Sequence, residues 1–282
     1  MPPGTLFVVA TPIGNLEDIT LRALRVLRES DLIAAEDTRR TAKLLMHHGI
    51  TTPSVSFHAH NLRTRLPQLM LKLRAGNRLA LVSDAGTPGI SDPGVELVQA
   101  CVSEGIPVDP VPGVSAVLTA AVGSGFALAP LTILGFAPPR SNDRKRFLQM
   151  VSGIDHTVVL FEAPTRIQAF LEDAAIALGQ RPIVLGRELT KLHQEFLRGH
   201  AAELIPMLAA PKGEFTVVVG PSVPAPQDNE PASDADVAAI FGDMSKSVPG
   251  GRRAVVAAVA KKLGMSSRHV YTAIERHKAS GQ

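Results

Sequence analysis

The 282-residue sequence predicts an α/β protein with two α/β domains followed by a small C-terminal helical module. Three observations support this prediction. Apolar runs alternate with amphipathic segments along residues 5–124, and again along about 126–222, which is typical of mainly parallel sheets covered by helices. The stretch PSVPAPQDNEPASDAD, residues 221–236, is rich in proline and acidic residues and has no periodicity, which indicates a flexible linker. Segments with helical spacing follow that linker.

Five apolar runs of the first domain are predicted to be strands: LFVVA, LIAA, SVSF, LALVS and IPVDPV. The amphipathic segments between them are predicted to be helices, around 18–29, 38–48, 64–75 and 93–104. Glycine stands at the C-cap position of three of these helices, as Gly49, Gly76 and Gly105. We therefore place the first domain at residues 1–124.

The second domain repeats this rhythm with the runs LTILGF, TVVLFE, PIVLGREL, HQEFLRG and EFTVVVG. Its last strands follow one another closely, as an antiparallel or mixed sheet edge requires. We place this domain at 125–222, the linker at 223–235 and a basic module resembling a helix-turn-helix at 236–282. The module is predicted to contain helices around 234–244, 249–263 and 266–279, with Ser266 as an N-cap.

Composition limits the functional classes that are possible. No apolar run reaches the ~18 to 20 residues of a membrane span, and proline and glycine break LFVVATPIGNL too early for a signal peptide. The single cysteine, Cys101, lies in an apolar helical pattern and is predicted to be a buried thiol in a cytoplasmic protein. The formal net charge is +3, yet residues 249–282 alone carry +6. Basic character is therefore local to the module.

Polar, glycine and proline residues follow the predicted strands, and ligands bind α/β sheets beyond the carboxyl ends of their strands. These sequences are TPIGN, EDTRR, HAHN, SDAGTPGISDPG and VPGVSA in the first domain, and GFAPPR, FEAPTR and RELTK in the second. If the two edges face each other, they form a cleft. A single loop of this kind is more often a turn-rich connection between a strand and a helix. Because similar loops follow several strands, a binding site is favoured here.

The chemistry of these loops favours a cationic ligand. The glycine-rich signatures of ATP and dinucleotide sites are absent from the sequence, and Asp84 and Asp92 would repel a polyphosphate. Carbonyl and carboxylate oxygens beside a glycine-rich turn suit the ammonium and sulfonium groups of S-adenosylmethionine. His58 and His60 have no cysteine or HExxH partner in the sequence, so no metal site is predicted and a hydrogen-bonding or substrate-contact role is favoured.

Eight motifs in register resemble the ribosomal RNA small subunit methyltransferase I family, of the tetrapyrrole methylase superfamily. They are VATPIGNLEDITLRAL, AEDTRRTAKLL, SFHAHN, VSDAGTPGISDPG, VPGVSA, GFAPPR, FEAPTRI and RELTK. The resemblance covers about residues 5–221, and the C-terminal helices resemble the helical module of that family. Leu62 and Thr165 depart from the family pattern, in which an acidic residue and a histidine are expected.

The resemblance implies a homodimer of tetrapyrrole methylase fold that binds S-adenosylmethionine between its two α/β domains. It also implies methylation of the ribose 2′-hydroxyl of a cytidine in the decoding region of 16S ribosomal RNA. The residues expected to bind the methyl donor are Pro12, Asp84, Ala85, Gly86, Thr87, Pro88, Ser91, Asp92, Ser115, Ala116, Phe161 and Glu162.

Methyl transfer to a hydroxyl is helped by a general base, and RNA is held mainly through its phosphates. The candidate bases are Glu36, Asp37, His58, His60 and Lys191. Glu36 and Asp37 have a competing role, because they precede a helix that they would cap and an arginine that they would anchor. The expected RNA-binding residues are Arg39, Arg40, Arg63, Arg140, Arg144, Lys145, Arg146, Arg252, Arg253, Lys261, Lys262 and Arg268.

Two other functions remain open at the level of sequence. A tetrapyrrole-type methylase of small molecules would share the fold and the donor but would have little use for the basic module. A ligand-sensing regulator would use the helices RRAVVAAVAKKLG and SSRHVYTAIERHK to bind DNA. Methylation of small ribosomal subunits is predicted by neither.

Overall fold

A computed structural model of the protein describes residues 3–89, 94–208, 212–222, 233–246, 250–263 and 265–280. The expected donor-binding residues Ser91 and Asp92, the linker residues 223–232 and the side chain of Lys261 lie outside the described part. The chain divides into two compact units, Met1–Ser222 and Val223–Gln282.

The first domain contains a five-stranded sheet of order β3-β2-β4-β1-β5 in which all neighbours are parallel. Its strands are β1 (Leu6–Val9), β2 (Leu32–Ala35), β3 (Ser54–Ser56), β4 (Leu79–Val82) and β5 (Val108–Val111). Its helices are α1 (Leu21–Glu29), α2 (Thr38–His47), α3 (Leu62–Arg74), α4 (Val95–Ser103) and α5 (Ala116–Ser124). The predicted α/β order of this domain is confirmed.

Helices cover both faces of the first sheet. One core joins α1 and α2 to one face, and a second core joins α3 and α4 to the other. Cys101 lies in the second core, where burial, with a smaller contribution from Glu104, raises the pKa of its thiol to about 11. A neutral, buried thiol is a poor nucleophile, so the structural role predicted for Cys101 is confirmed.

Capping explains why α1 begins later than its amphipathic pattern predicted. Asn15 accepts a hydrogen bond from the backbone N–H of Glu17 and opens a single 3₁₀ turn, Leu16–Asp18. The side chain of Thr20 then accepts from the N–H of Ala23 at 3.0 Å, which starts the α-helix at Leu21.

The second domain contains a mixed sheet of order β6-β7-β10-β8-β9. Its strands are β6 (Leu131–Phe136), β7 (Thr157–Glu162), β8 (Pro182–Arg187), β9 (Glu195–His200) and β10 (Phe215–Val219). Strands β6 and β7 are parallel, whereas β10 runs antiparallel to both β7 and β8, and β9 runs antiparallel to β8. The predicted mixed edge is confirmed. Its helices are α6 (Ser141–Ser152), α7 (Ile167–Leu178) and α8 (Ala201–Leu204).

Helix α5 was not predicted from the sequence, and it crosses between the domains. It follows β5 of the first sheet, yet its side chains pack with Val159, Val184 and Val218 on one face of the second sheet. Helices α6, α7 and α8 cover the opposite face. Because AVLTAAVGS is apolar around most of its circumference, it lacks the amphipathic period that identifies a surface helix.

The second unit consists of α9 (Asp234–Met244), α10 (Gly251–Leu263) and α11 (Ser267–Ser280). Their buried side chains form one core that includes Val237, Val256, Val259 and Ile274. The hydroxyl of Ser266 accepts from the backbone N–H of His269 at 3.2 Å, as expected of an N-cap. Within the described parts of both units, no helix combines the length and apolarity that crossing a bilayer requires.

Candidate functional site

A cavity of about 410 Å³ lies within the first unit, where strand-end loops of the two sheets meet. This volume is in the range of small-molecule sites. The first-domain wall consists of Ile13, Glu36, Arg40, Asp84, Ala85, Gly86, Thr87, Ser115, Ala116 and Val117. The second-domain wall consists of Phe136, Phe161, Glu162, Ala163, Pro164, Glu214, Phe215 and Thr216. The cleft predicted from the strand-end loops is therefore present.

Asp84 links the loops that follow the adjacent strands β4 and β2. Its backbone N–H donates to Glu36 Oε2 at 3.2 Å, and its Oδ1 accepts from the backbone N–H of Asp37 at 3.0 Å. Its Oδ2 lies 3.3 Å from the guanidinium of Arg40. These bonds hold two carboxylates, Glu36 and Asp84, at the cavity wall.

Gly86 turns the loop after β4 into the cavity. Its φ is +77°, which is a region that side-chain-bearing residues rarely adopt. Gly86 and Thr11 exchange two backbone hydrogen bonds of 2.9 Å each, so this loop is tied to the end of β1. Ser115 caps α5 at the adjacent strand end, where its hydroxyl accepts from the N–H of Leu118.

Glu162, the last residue of β7, is the buried carboxylate of the opposite wall. Its Oε1 accepts from the N–H of Ala163 at 2.7 Å and lies 2.8 Å from the guanidinium of Arg166. Its Oε2 is buried and has no hydrogen-bond partner among the described residues. Burial raises the pKa of Glu162 above its usual value, although Ala163 and Arg166 oppose that shift.

The lining of the cavity combines carboxylates with aromatic rings. Among the described lining residues, the cation is Arg40 and the carboxylates are those of Glu36, Asp84, Glu162 and Glu214. The rings of Phe136 and Phe161 lie with their centroids 5.3 Å apart, and Phe215 adds a third ring. An anionic wall next to flat apolar surface suits a ligand that has cationic groups and a planar ring system.

The antiparallel direction of β10 adds residues that the sequence did not predict for the site. Its first residues pair with the last residues of β7, with Phe215 opposite Glu162 and Thr216 opposite Phe161. An antiparallel neighbour therefore brings its amino end to the edge where parallel strands bring their carboxyl ends. The segment EFTVVVG does not show by itself which strands it pairs with, so its direction in the sheet could not be predicted. The other lining residues that were not predicted are Ile13, Val117, Phe136, Ala163 and Pro164.

Several expected site residues lie outside the cavity lining. Pro12 and Pro88 are buried within the loops that they belong to. His58 and His60 follow β3, which is the edge strand of the first sheet, so their loop lies two strands from the β4 loop. Backbone and side-chain bonds to Asn61 hold His58 in its own turn. For this geometric reason the two histidines are not brought to the cavity lining, and their role as bases stays a prediction.

The departures Leu62 and Thr165 also lie outside the cavity lining. Leu62 opens α3 and packs against the core of the first domain, and Thr165 is exposed.

Two of the predicted bases have the wrong electrostatics for accepting a proton. The side chain and backbone N–H of Arg39 hold the pKa of Asp37 well below its usual range, and Asp37 also caps α2. Burial alone would lower the pKa of Lys191, but the carboxylates of Glu188 and Glu214 raise it above its usual value. Lys191 therefore stays protonated at neutral pH, and its Nζ lies 2.8 Å from Glu188 Oε1 and 3.1 Å from Glu214 Oε2.

Arg144 was predicted to bind RNA, and its position contradicts that role. Its side chain is only 7% exposed and lies 2.7 Å from Asp173, whose side chain is 10% exposed. Its neighbours in α6 differ, since Lys145 and Arg146 are exposed. Arg144 falls on the inward face of an amphipathic helix, where a buried partner on α7 offsets its charge.

The other expected RNA-binding side chains in the described part are exposed. They are Arg39, Arg40, Arg63, Arg140, Lys145, Arg146, Arg252, Arg253, Lys262 and Arg268. Arg252 is held by Glu275 and lies over the ring of Tyr271, 4.8 Å from its centroid. Among the residues that the structure describes, no cluster of His, Cys, Asp and Glu side chains is arranged to hold a metal ion.

Comparison with known proteins places this architecture in a family. Residues 5–205 match the model of the Tetrapyrrole (Corrin/Porphyrin) Methylases. The chain is 48% identical over 224 residues to ribosomal RNA small subunit methyltransferase I of a Synechocystis species, covering 78% of this chain and 80% of the relative. It is 47% identical over 218 residues to the Thermotoga maritima protein of the same name, covering 77% of this chain and 98% of that relative.

Solved structures show the same fold at low sequence identity. Uroporphyrin-III C-methyltransferase from Thermus thermophilus, complexed with S-adenyl homocysteine, superimposes with a TM-score of 0.56 at 18% identity, covering 77% of this chain and 97% of that one. Together with the cavity between two α/β domains, these matches establish that the chain belongs to the tetrapyrrole methylase family and, within it, to the ribosomal RNA small subunit methyltransferase I group.

Proposed function

We propose that the protein is an S-adenosylmethionine-dependent methyltransferase that modifies the ribose 2′-hydroxyl of a cytidine in the decoding region of 16S ribosomal RNA. The observation that carries the proposal is the carboxylate-lined cavity, in a chain nearly half identical to relatives named for methylating small-subunit RNA.

The cavity residues fit the methyl donor. Glu162 has a buried carboxylate oxygen without a partner among the described residues, which is an acceptor available to a ligand. Glu36 and Asp84 add negative charge on the facing wall, so the ammonium and sulfonium groups of the donor are balanced from both sides. Phe136 and Phe161 offer flat surface to its adenine. When bound, S-adenosylmethionine supplies an electrophilic methyl group and leaves as S-adenosylhomocysteine.

The chain contributes positioning and proton transfer. Of the five predicted bases, Glu36 is the one that lines the cavity, and we assign it the role of accepting the proton of the ribose hydroxyl as the new C–O bond forms. Its Oε2 is oriented by the backbone N–H of Asp84. Asp37 and Lys191 are assigned structural roles instead. Asp37 caps α2, and Lys191 bonds to both Glu188 and Glu214.

Exposed cations around the cleft are proposed to bind the phosphates of the RNA. Arg40 lines the cavity itself and is positioned by Asp84. Arg39 and Arg63 lie in the first turns of α2 and α3 in the first domain. In the second domain, Arg140 directly precedes α6 and Lys145 lies near its beginning. Phosphate contacts of this kind hold the substrate in place without reading its sequence.

The protein is further proposed to work in the cytoplasm as a homodimer. Leu118 and Val122 of α5 and Ile133 of β6 are large apolar side chains exposed at the surface of the second domain. Leu118 and Val122 are four residues apart and so share one face of α5, and adjoining exposed apolar side chains often mark protein–protein contacts. A molar mass near twice that of the 29.8 kDa chain in multi-angle light scattering would support the dimer.

The two rival functions are disfavoured by the comparisons. The chain is 46–48% identical to four relatives named as ribosomal RNA methyltransferases, but 17–19% identical to solved tetrapyrrole-type methyltransferases. The hypothesis of a DNA-binding regulator does not explain why the cavity residues suit a methyl donor.

The decisive experiment incubates the purified protein with labelled S-adenosylmethionine and small ribosomal subunits that lack the modification. Digestion to nucleosides and mass spectrometry should detect 2′-O-methylcytidine. Glu36→Gln should lose most of this activity, while Glu17→Gln, in the exposed 3₁₀ turn, should retain it. Methylation of a uroporphyrinogen with no transfer to subunits or to free 16S RNA would overturn the proposal.

A further inference from the structure

The second unit is a folded module with its own core. Helices α9, α10 and α11 each contribute fully buried side chains, including Val237, Val259 and Val270. Its surface charges are therefore held on a defined framework. A disordered basic arm would instead lose conformational entropy on binding.

Charge is separated among the three helices. Helix α9 contains Asp234, Asp236 and Asp243 and no basic residue. Helices α10 and α11 contain the single acidic residue Glu275, which pairs with Arg252. The remaining cations with described side chains are exposed and form no ion pair with a described residue; they are Arg253, Lys262, Arg268, Arg276 and Lys278. We call these five residues the basic surface of the module.

At least one relative is too short to contain a counterpart of this module. A 218-residue match covers 98% of the Thermotoga maritima relative, which therefore has no counterpart for about 60 residues of this chain. The second unit spans residues 223–282, and the family model ends at residue 205. The matched family region therefore ends before the module begins, and we look for a separate use for the exposed charge of the module.

We propose that the basic surface binds the phosphate backbone of the substrate RNA at a place separate from the methylated nucleotide. This inference rests on the proposed function, and it names a second contact with the same substrate. Unpaired cations on a folded surface are suited to phosphates, because each contact releases a counterion from the nucleic acid. Since the two units are one chain, a second contact raises the effective concentration of RNA at the catalytic cavity.

The test compares full-length proteins that lose the same amount of charge in two places. The test variant is Arg253→Gln/Lys262→Gln/Arg268→Gln, and the control is Arg25→Gln/Lys72→Gln/Arg74→Gln, in α1 and α3 of the first domain. Glutamine keeps helix propensity close to that of lysine and arginine. Circular dichroism and thermal melting verify that both variants fold. The probes are free 16S RNA, small ribosomal subunits and a mixed-sequence duplex DNA.

The test variant should show a KM for small subunits that is about tenfold higher near physiological salt, with kcat and the Kd of S-adenosylmethionine unchanged. The slope of log Kd for 16S RNA against log salt should fall by about 2 to 3, because three phosphate contacts are lost. The control should keep the wild-type slope. Equal slopes and KM values in wild type and test variant would overturn the inference, as would a loss of affinity confined to duplex DNA.

Failure of the proposed function gives a different result. If wild-type protein transfers no methyl group to subunits or free RNA, the function is wrong whatever the module binds. If wild type methylates subunits and the test variant does so with an unchanged KM and salt dependence, only the role of the module is wrong.

Discussion

The hydroxyl of Thr190 accepts a hydrogen bond of 3.1 Å from the backbone N–H of Asn15, 175 residues earlier in the chain. Thr190 follows β8 of the second domain, and Asn15 follows β1 of the first. Between Asn15 and β1 lie Ile13, which lines the cavity, and Thr11, which is bonded to Gly86 of the cavity wall. One hydrogen bond thus connects the second domain to the loop that shapes the first-domain wall.

Thr190→Val should weaken binding of S-adenosylmethionine, because it removes the acceptor of the Asn15 N–H and keeps the side-chain shape. Loss of a part-buried neutral hydrogen bond costs about 1 kcal/mol, so we expect the Kd to rise about fivefold. Calorimetry measures this change.

Thr190→Ser is the matched control, because it keeps the hydroxyl. Thr190 has a φ of +66°, which disfavours threonine and valine alike as β-branched residues, so strain does not separate wild type from Thr190→Val. A donor Kd that stays at the wild-type value in Thr190→Val would show that this bond does not position the loop.

Gly86→Ala should weaken donor binding about tenfold, because the φ of +77° is strained for alanine by about 1 kcal/mol or more and relaxation would move the cavity wall. A Cβ at Gly86 would meet only Ile13 Cγ2, at 3.6 Å, so the effect arises from the backbone. Gly105→Ala is the control, since Gly105 has a φ of +67° and no neighbour within 4 Å of an added Cβ. Equal donor affinity in both variants would remove the Gly86 turn from the binding site.

The affinity for S-adenosylmethionine should decrease when the pH is lowered through the raised pKa of Glu162. Above that pKa the carboxylate is charged and attracts the cationic donor; below it the carboxyl is neutral and this attraction is lost. As the pH is lowered through this raised pKa, we expect the wild-type Kd for S-adenosylmethionine to rise, because the neutral carboxyl must lose its proton before it can attract the cationic donor.

Glu162→Gln should bind the donor weakly at high pH and show a flatter pH profile. Glu104→Gln, which removes an exposed carboxylate paired with Arg74 outside the cavity lining, should follow the wild-type profile. Calorimetry across the pH range measures all three proteins. A Glu162→Gln profile parallel to that of wild type would assign the pH dependence to another group.

Arg144→Met should destabilise the protein by about 3 kcal/mol, because it leaves the buried carboxylate of Asp173 without its closest charge partner. Arg146→Met, on the same helix, should cost less than about 1 kcal/mol, because the Arg146 side chain is 81% exposed. Urea unfolding measures both changes. RNA affinity that drops in Arg144→Met at unchanged stability would return Arg144 to the RNA-binding residues.

Much of the fold and part of the site follow from local patterns. Alternation of apolar runs with amphipathic segments predicted both α/β domains, and proline, glycine and carboxylate residues at the strand ends predicted Glu36 and Asp84 as site residues. These predictions need only chain order and side-chain chemistry, since the carboxyl ends of parallel strands share one edge. Glu162 was expected at the site because of the family resemblance. The basic module was likewise visible as a local excess of lysine and arginine after an acidic, proline-rich linker.

The tertiary structure decided which strand ends meet. The strand order places β3, which His58 and His60 follow, at the edge of the first sheet. The antiparallel direction of β10 brings Glu214 to the cavity. It also decided that Arg144 faces inward to Asp173 while Arg146 faces solvent. By itself, the sequence determined most of the elements, the ligand chemistry and the separate charged module, because these depend on residues near one another in the chain. Neighbours in space depend on strand pairing and packing between distant segments, and these become visible only in the folded protein.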